Sequence, residues 1–146
     1  MADPTPQTYQ DHTRWVPLYH FVMGPIFLVN AVVAAFRLVT GFSLDRALEL
    51  LVAVALVFAF FYLRVFALAA QDRVIRLEER MRMQALLPDN LKPRINDFST
   101  AQLIAIRFAS DSELPQLARK VLEENIADQK PIKEAITTWR PDYQRV

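Results

Sequence analysis

A chain of 146 residues that is 53% hydrophobic and 23% charged is not explained by one soluble core, because the two kinds of residue are segregated along it. The formal net charge is +1, so no broad positive face is available and no nucleic-acid partner is expected. Cysteine is absent and glycine occurs only at Gly24 and Gly41, which removes disulfides, thiolate metal sites, thiol nucleophiles and phosphate-cradling loops.

Residues 1–14 form an N-terminal tail with no basic run, so a cleaved signal peptide is not expected. Residues 15–38 are predicted to form a first transmembrane helix. Its core, WVPLYHFVMGPIFLVNAVVAAF between Arg14 and Arg37, carries no formal charge. At about 1.5 Å per residue it can cross a hydrocarbon layer of about 30 Å. Trp15 and Tyr19 sit where amphipathic rings prefer the headgroup level, and Pro17 falls in the first turn, where a missing N–H costs little. Pro25 deprives the Phe21 carbonyl of its donor and is expected to kink the helix, while Gly24 permits close helix approach.

A short extracytoplasmic turn over 39–46 follows, with Gly41 leaving the first helix and Ser43 and Asp45 as candidate caps for the next. The second transmembrane helix is predicted over 47–70 and must run antiparallel to the first. Folding the hairpin about Gly41 and Phe42 sets Arg37 level with Glu49, as a candidate ion pair, and Arg64 at the depth of His20. An arginine held at the bilayer centre costs roughly 2.5 to 3.5 kcal/mol, so Arg64 is expected to snorkel toward the inner interface.

Within the hairpin, Asn30 is the strongly polar mid-span side chain and is expected to form an interhelical hydrogen bond worth about 0.6 to 2 kcal/mol. Ala31 with Ala35, and Ala55 with Ala59, have small-residue spacing suited to tight helix contacts. No chain of ionisable groups runs through the spans, so an ion pathway is not expected. His20, with Met23 nearby, is the candidate ligand for a metal or pigment; headgroup contact or a hydrogen bond to a neighbour is its structural reading, and no cofactor is assigned.

The second helix is expected to continue as a cytoplasmic extension over 71–88, since nothing between Ala69 and Leu87 is glycine or proline. Asp72 with Arg76, and Glu78 with Arg82, have the favourable spacing for exposed ion pairs. Val74, Leu77 and Met81 make an apolar stripe for the rest of the domain or a second copy. Arg64, Arg73, Arg76 and Arg80, with Arg82, outnumber the bases at the turn, which places both termini in the cytoplasm. With His20, the first four of these arginines are the candidate contacts for lipid or a partner.

Pro88 ends the extension, and residues 89–146 are predicted to form a small cytoplasmic helical domain. Three helical faces are legible: Leu91, Ile95 and Phe98; Leu114, Leu117, Ala118, Val121 and Leu122; and Ile132, Ala135, Ile136 and Trp139. Ser99 and Gln102 match a capping box, and Ser112 is the preferred cap of the next helix because it keeps Pro115 in the first turn. Asp111 with Glu113, and Glu123 with Glu124, read as solvated charge.

The segments RVFALAAQDRVIRLEERMRMQALLP, IAIRFASDSELPQLARKVL and IKEAITTWRPDYQRV carry a resemblance that extends from the Tyr19 region to the end. The chain resembles a bacterial family of unknown function made of small membrane proteins with two transmembrane helices. That resemblance implies a bacterial inner-membrane location and supplies no activity or site residues. The expectation is an all-α protein: an integral membrane helical hairpin whose second helix extends into a small cytoplasmic helical domain. Its expected role is a non-enzymatic accessory or scaffold subunit of a membrane complex, with the lipid bilayer and either a membrane-protein partner or a homo-oligomer as partners. The alternative is a cofactor- or ligand-binding membrane protein using His20.

Overall fold

The computed structural model describes residues 15–143, so residues 1–14 and 144–146 lie outside the described residues. The described residues are helical with no β-strand; one isolated bridge pairs Ala109 with Trp139. The chain divides into two compact units, Arg14–Leu68 and one whose described part begins at Ala69.

In the first unit a π-helical turn, Leu18–Met23, leads into α1, Gly24–Thr40, and the two together are long and apolar enough to cross a membrane. At Pro25, where the sequence predicts a kink, the helix changes from π-helical to α-helical winding. Gly24 N–H reaches back to the Tyr19 carbonyl, a five-residue step that lets the chain enter α1 at a residue lacking its own donor. Helix α2, Leu44–Leu86, also contains a segment apolar enough to span. The connection is Gly41–Ser43, shorter than the 39–46 turn expected from composition, because hydrogen bonds hold both helix ends. Ser43 Oγ accepts from Arg46 N–H at 3.2 Å as an N-cap, and the Arg46 guanidinium donates to the Gly41 and Arg37 carbonyls at the end of α1. Gly41 is extended (φ −176°), a conformation open to any residue; its lack of a side chain leaves room for that guanidinium.

The hairpin register follows the fold about Gly41 and Phe42. Arg37 pairs with Glu49 at 3.0 Å, and Gly24 lies against the Phe60 ring, 3.2 Å from where a Cβ would stand. Tyr19 stacks on the same ring at 4.1 Å and donates its hydroxyl to the Phe60 carbonyl.

The second unit folds around a core of Met83, Leu87, Leu91, Ile95, Phe98, Leu103, Ile106, Phe108, Leu114, Leu117, Val121, Ile132 and Ile136. The pattern Leu91, Ile95, Phe98 is buried as expected, but around a 3₁₀ turn, Lys92–Asp97, rather than on an α-helix. Helix α3, Thr100–Ile106, opens with the Ser99–Gln102 capping box, both bonds of which are present. Helix α4, Leu114–Glu123, has Glu113 rather than Ser112 at its N-terminal boundary, and Pro115 still falls in the first turn. The cap expected from Ser112 is not made: its hydroxyl lies 3.1 Å from that of Ser110. Helix α4 ends in a Schellman arrangement, with Ile126 N–H on the Val121 carbonyl and Asn125 in the left-handed region at φ 48°. Helix α5, Gln129–Glu134, stops before Trp139. The last apolar face therefore does not stay helical: the chain turns, and Trp139 pairs with Ala109 through Arg140 N–H to Phe108 O (2.7 Å) and Ser110 N–H to Thr138 O (3.0 Å).

Candidate functional site

One helical face of α2 enters the second unit's core, and it is the face of Ile75, Glu79 and Met83. The expected stripe of Val74, Leu77 and Met81 lies on the other side and stays exposed at 53%, 62% and 66%. Both faces have helical spacing; the observed one buries a carboxylate, which is costly unless cations answer it.

They do. Arg82 Nη1 lies 3.1 Å from one Glu79 oxygen, and Arg140 Nη1 lies 3.5 Å from the other. Arg82 continues to Asp111 at 2.7 Å and donates to the Ala109 carbonyl at 2.7 Å. Arg107, buried in the run IAIRFA, pairs with Asp142 at 3.1 Å and covers the Phe108 ring at 4.4 Å; Trp139 packs on the same ring at 4.9 Å. Glu79, Arg82, Arg107, Asp111, Arg140 and Asp142 line a cleft of about 730 Å³ together with Ile75, Met81 and Tyr143.

The cluster joins α2, the end of α3 and the bridged segment near Trp139 with three guanidiniums answered by three carboxylates. Desolvation pushes the Glu79 carboxyl above its usual range, and the opposing pull of Arg82, Arg140 and Arg107 falls short of cancelling it. What this arrangement does chemically is hold charge in fixed, mutually neutralised positions, locking the C-terminal segment to α2.

Glu113 is a second such device. Its carboxylate accepts Thr137 N–H at 2.9 Å, the Thr137 hydroxyl at 2.9 Å and Thr138 N–H at 3.0 Å. Partial burial works against ionisation there, but these bonds outweigh it and hold the carboxyl below its usual range. Glu113 is therefore a tertiary tie as well as a charge at a helix start, while Asp111 stays exposed to solvent, as expected, and adds a bond to Arg82. Arg82 takes the buried Glu79 and the exposed Asp111 as partners, not the expected Glu78.

The residues singled out from the sequence are placed apart from this cluster. His20 is half-buried, its Nδ1 within 3.0 Å of the Val16 carbonyl and its ring edge-on to Trp15 and Tyr19 at 5.1 Å. Arg64 is half-buried, Arg73 and Arg76 are exposed, and Arg80 is half-buried with its Nε unpaired. Asn30 is exposed and makes no interhelical hydrogen bond within the hairpin; it borders a groove with Ala34, Arg37 and Glu49. Ala31 and Ala35 are half-buried and Ala55 and Ala59 are exposed, whereas the alanines buried in the hairpin are Ala34 and Ala53. Sequence reasoning passed over Glu79 and Arg107, and read Arg140 only as part of a closing segment for an interface or partner, not as a partner of Glu79. The signal for Arg107 was a lone charge inside an apolar run; Glu79 becomes conspicuous only once the Ile75–Met83 face is known to be the inner one.

Residues 1–146, the whole chain, match DUF6526, a family of unknown function. The chain belongs to that family. No curated protein and no solved structure matches it. Within DUF6526, this chain has two helices long and apolar enough to cross a membrane and a helical unit with its own apolar core, beside which Glu79, Arg82 and Arg107 are buried or nearly so in ion pairs.

Proposed function

We propose that the chain is an integral membrane protein of the bacterial inner membrane, with both termini cytoplasmic, acting as a non-enzymatic accessory or scaffold subunit of a membrane complex. The observation that carries this reading is the contrast in exposure. Phe21, Ile26, Leu28, Val29, Val32, Phe36, Leu51, Phe58, Phe61 and Leu63 all face outward on helices apolar around their circumference, while the second unit buries its own apolar residues. Such helices are tolerated in lipid and not in water. The arginines after the second apolar run support cytoplasmic termini. Two features favour assembly. Asn30 exposes an amide on an apolar helix, where another helix can satisfy it and acyl chains cannot. Beyond the apolar run, α2 carries the uncovered Val74, Leu77 and Met81.

The test combines alkaline carbonate extraction with labelling of single cysteines, which this cysteine-free chain allows. The chain is expected to stay in the membrane pellet, with Phe42→Cys labelled by an impermeant maleimide in intact cells and Asp128→Cys labelled only after lysis. Release by carbonate, or labelling of Asp128→Cys from outside, overturns the placement. Extraction in mild detergent is expected to yield a stoichiometric complex; a purified monomer catalysing a reaction would overturn the accessory role.

A further inference from the structure

We infer that the exposed stripe on the last part of α2 is a self-association seam, whose occupant is the same stripe of a second copy running parallel to it. Ala70, Val74, Leu77 and Met81 recur at alternating steps of four, three and four residues, the spacing of the a and d positions of a two-stranded coiled coil. All four are exposed, and the opposite face of the helix is already committed to Ile75, Glu79 and Met83. The stripe is thus accessible without disturbing the core.

The choice of a second copy rests on charge. Arg73 and Glu78 flank the stripe on opposite sides, at the g and e positions, and neither forms an ion pair among the described residues. In a parallel pair, a g residue meets the partner's e residue five positions later. That offset brings Arg73 of each chain to Glu78 of the other, so a two-fold axis makes both contacts at once and the surface is complementary to itself. An antiparallel pair loses this register. The seam rests on the membrane placement proposed above, since copies inserted with one topology present α2 in parallel. A seam of two heptads is too short to hold freely diffusing chains, and confinement to one bilayer supplies the effective concentration it lacks.

Disulfide trapping in native membranes tests this on the full-length chain. Under mild copper-catalysed oxidation, Val74→Cys, Leu77→Cys and Met81→Cys are expected to give a product of twice the chain mass, and Arg76→Cys, exposed on another face, is not. Adding Arg73→Glu or Glu78→Arg to Leu77→Cys should each lower the trapped fraction roughly fivefold, two facing pairs having turned from attraction to repulsion; the double reversal should restore it. Equal trapping at Arg76→Cys, a product of another mass, or no recovery in the double reversal overturns the seam. If no position is trapped while the chain still resists carbonate, the seam fails and the membrane reading stands; release by carbonate fails the membrane reading itself.

Discussion

The two units treat the same kinds of side chain in opposite ways. In Arg14–Leu68 the large apolar residues point outward and the buried positions are alanines, Ala34 and Ala53. From Ala69 onward, apart from the stripe of Val74, Leu77 and Met81, the large apolar residues gather into a core that includes Leu103, Ile106 and Phe108, and charge is buried where opposite charge meets it, as at Glu79. Hydrophobic content therefore does not define a core; the environment that removes the side chains from water does. One unit makes that environment from itself, and the other, on the reading proposed here, takes it from lipid.

The largest effect that sharpens the comparison is expected at Phe108. Phe108→Ala should cost about 3 to 5 kcal/mol by opening a fully enclosed site, read as a lowered melting temperature of the detergent-solubilised chain. Val32→Ala, on the outward face of α1, should change it by no more than about 0.5 kcal/mol. Equal losses at both positions would erase the distinction between the units. Next, Val32→Arg should lower membrane insertion, at a cost of roughly 2.5 to 3.5 kcal/mol, measured as the inserted fraction in a translocation assay; unchanged insertion would break the lipid side of the comparison.

The ion ties differ in the sign of their pH dependence. The raised Glu79 carboxyl binds its proton more tightly folded than unfolded, so its contribution is complete at low pH and is lost as pH rises through its elevated value. The depressed Glu113 carboxyl contributes above the ordinary carboxyl range, and that contribution is lost as pH falls through its lowered value. Denaturant midpoints measured against pH should show Glu79→Gln removing a decline on the rising side and Glu113→Gln removing a decline on the acid side. Glu113→Gln should also cost about 1 to 2 kcal/mol at neutral pH. Profiles with the same sign for both variants would show that burial does not govern Glu79. The smallest effect is local: Asn125→Ala places an ordinary side chain at φ 48° and should cost about 1 kcal/mol, seen as a small drop in the same midpoints.

Much of the fold was legible because local signals and tertiary demands agreed. The hairpin register, the Arg37–Glu49 pair, the Ser43 and Ser99 caps, and the buried Leu91, Ile95 and Phe98 all follow from spacing and capping chemistry acting over a few residues or across one tight turn. The cluster was less legible. Val74–Leu77–Met81 and Ile75–Met83 are both credible inner faces of α2; the domain packs on the second, where Glu79 meets Arg82, and of the two occupants expected for the more apolar stripe this leaves the second copy. Trp139 has helical spacing after Ile136, yet its backbone pairs with Ala109 once α5 has ended.

By itself, the sequence determined which segments are apolar on all sides, where helices begin and where they turn back, since these depend on composition and nearest-neighbour hydrogen bonding. Only the tertiary structure decided that Glu79 is buried and met by Arg140 from a distant part of the chain as well as by Arg82 one turn along α2, that Glu113 grips the Thr137–Thr138 turn, and that Val74, Leu77 and Met81 are left uncovered. The reason is physical: a charged side chain is indifferent to which face of a helix it occupies until another segment arrives to desolvate it, and that arrival depends on contacts far removed in the chain.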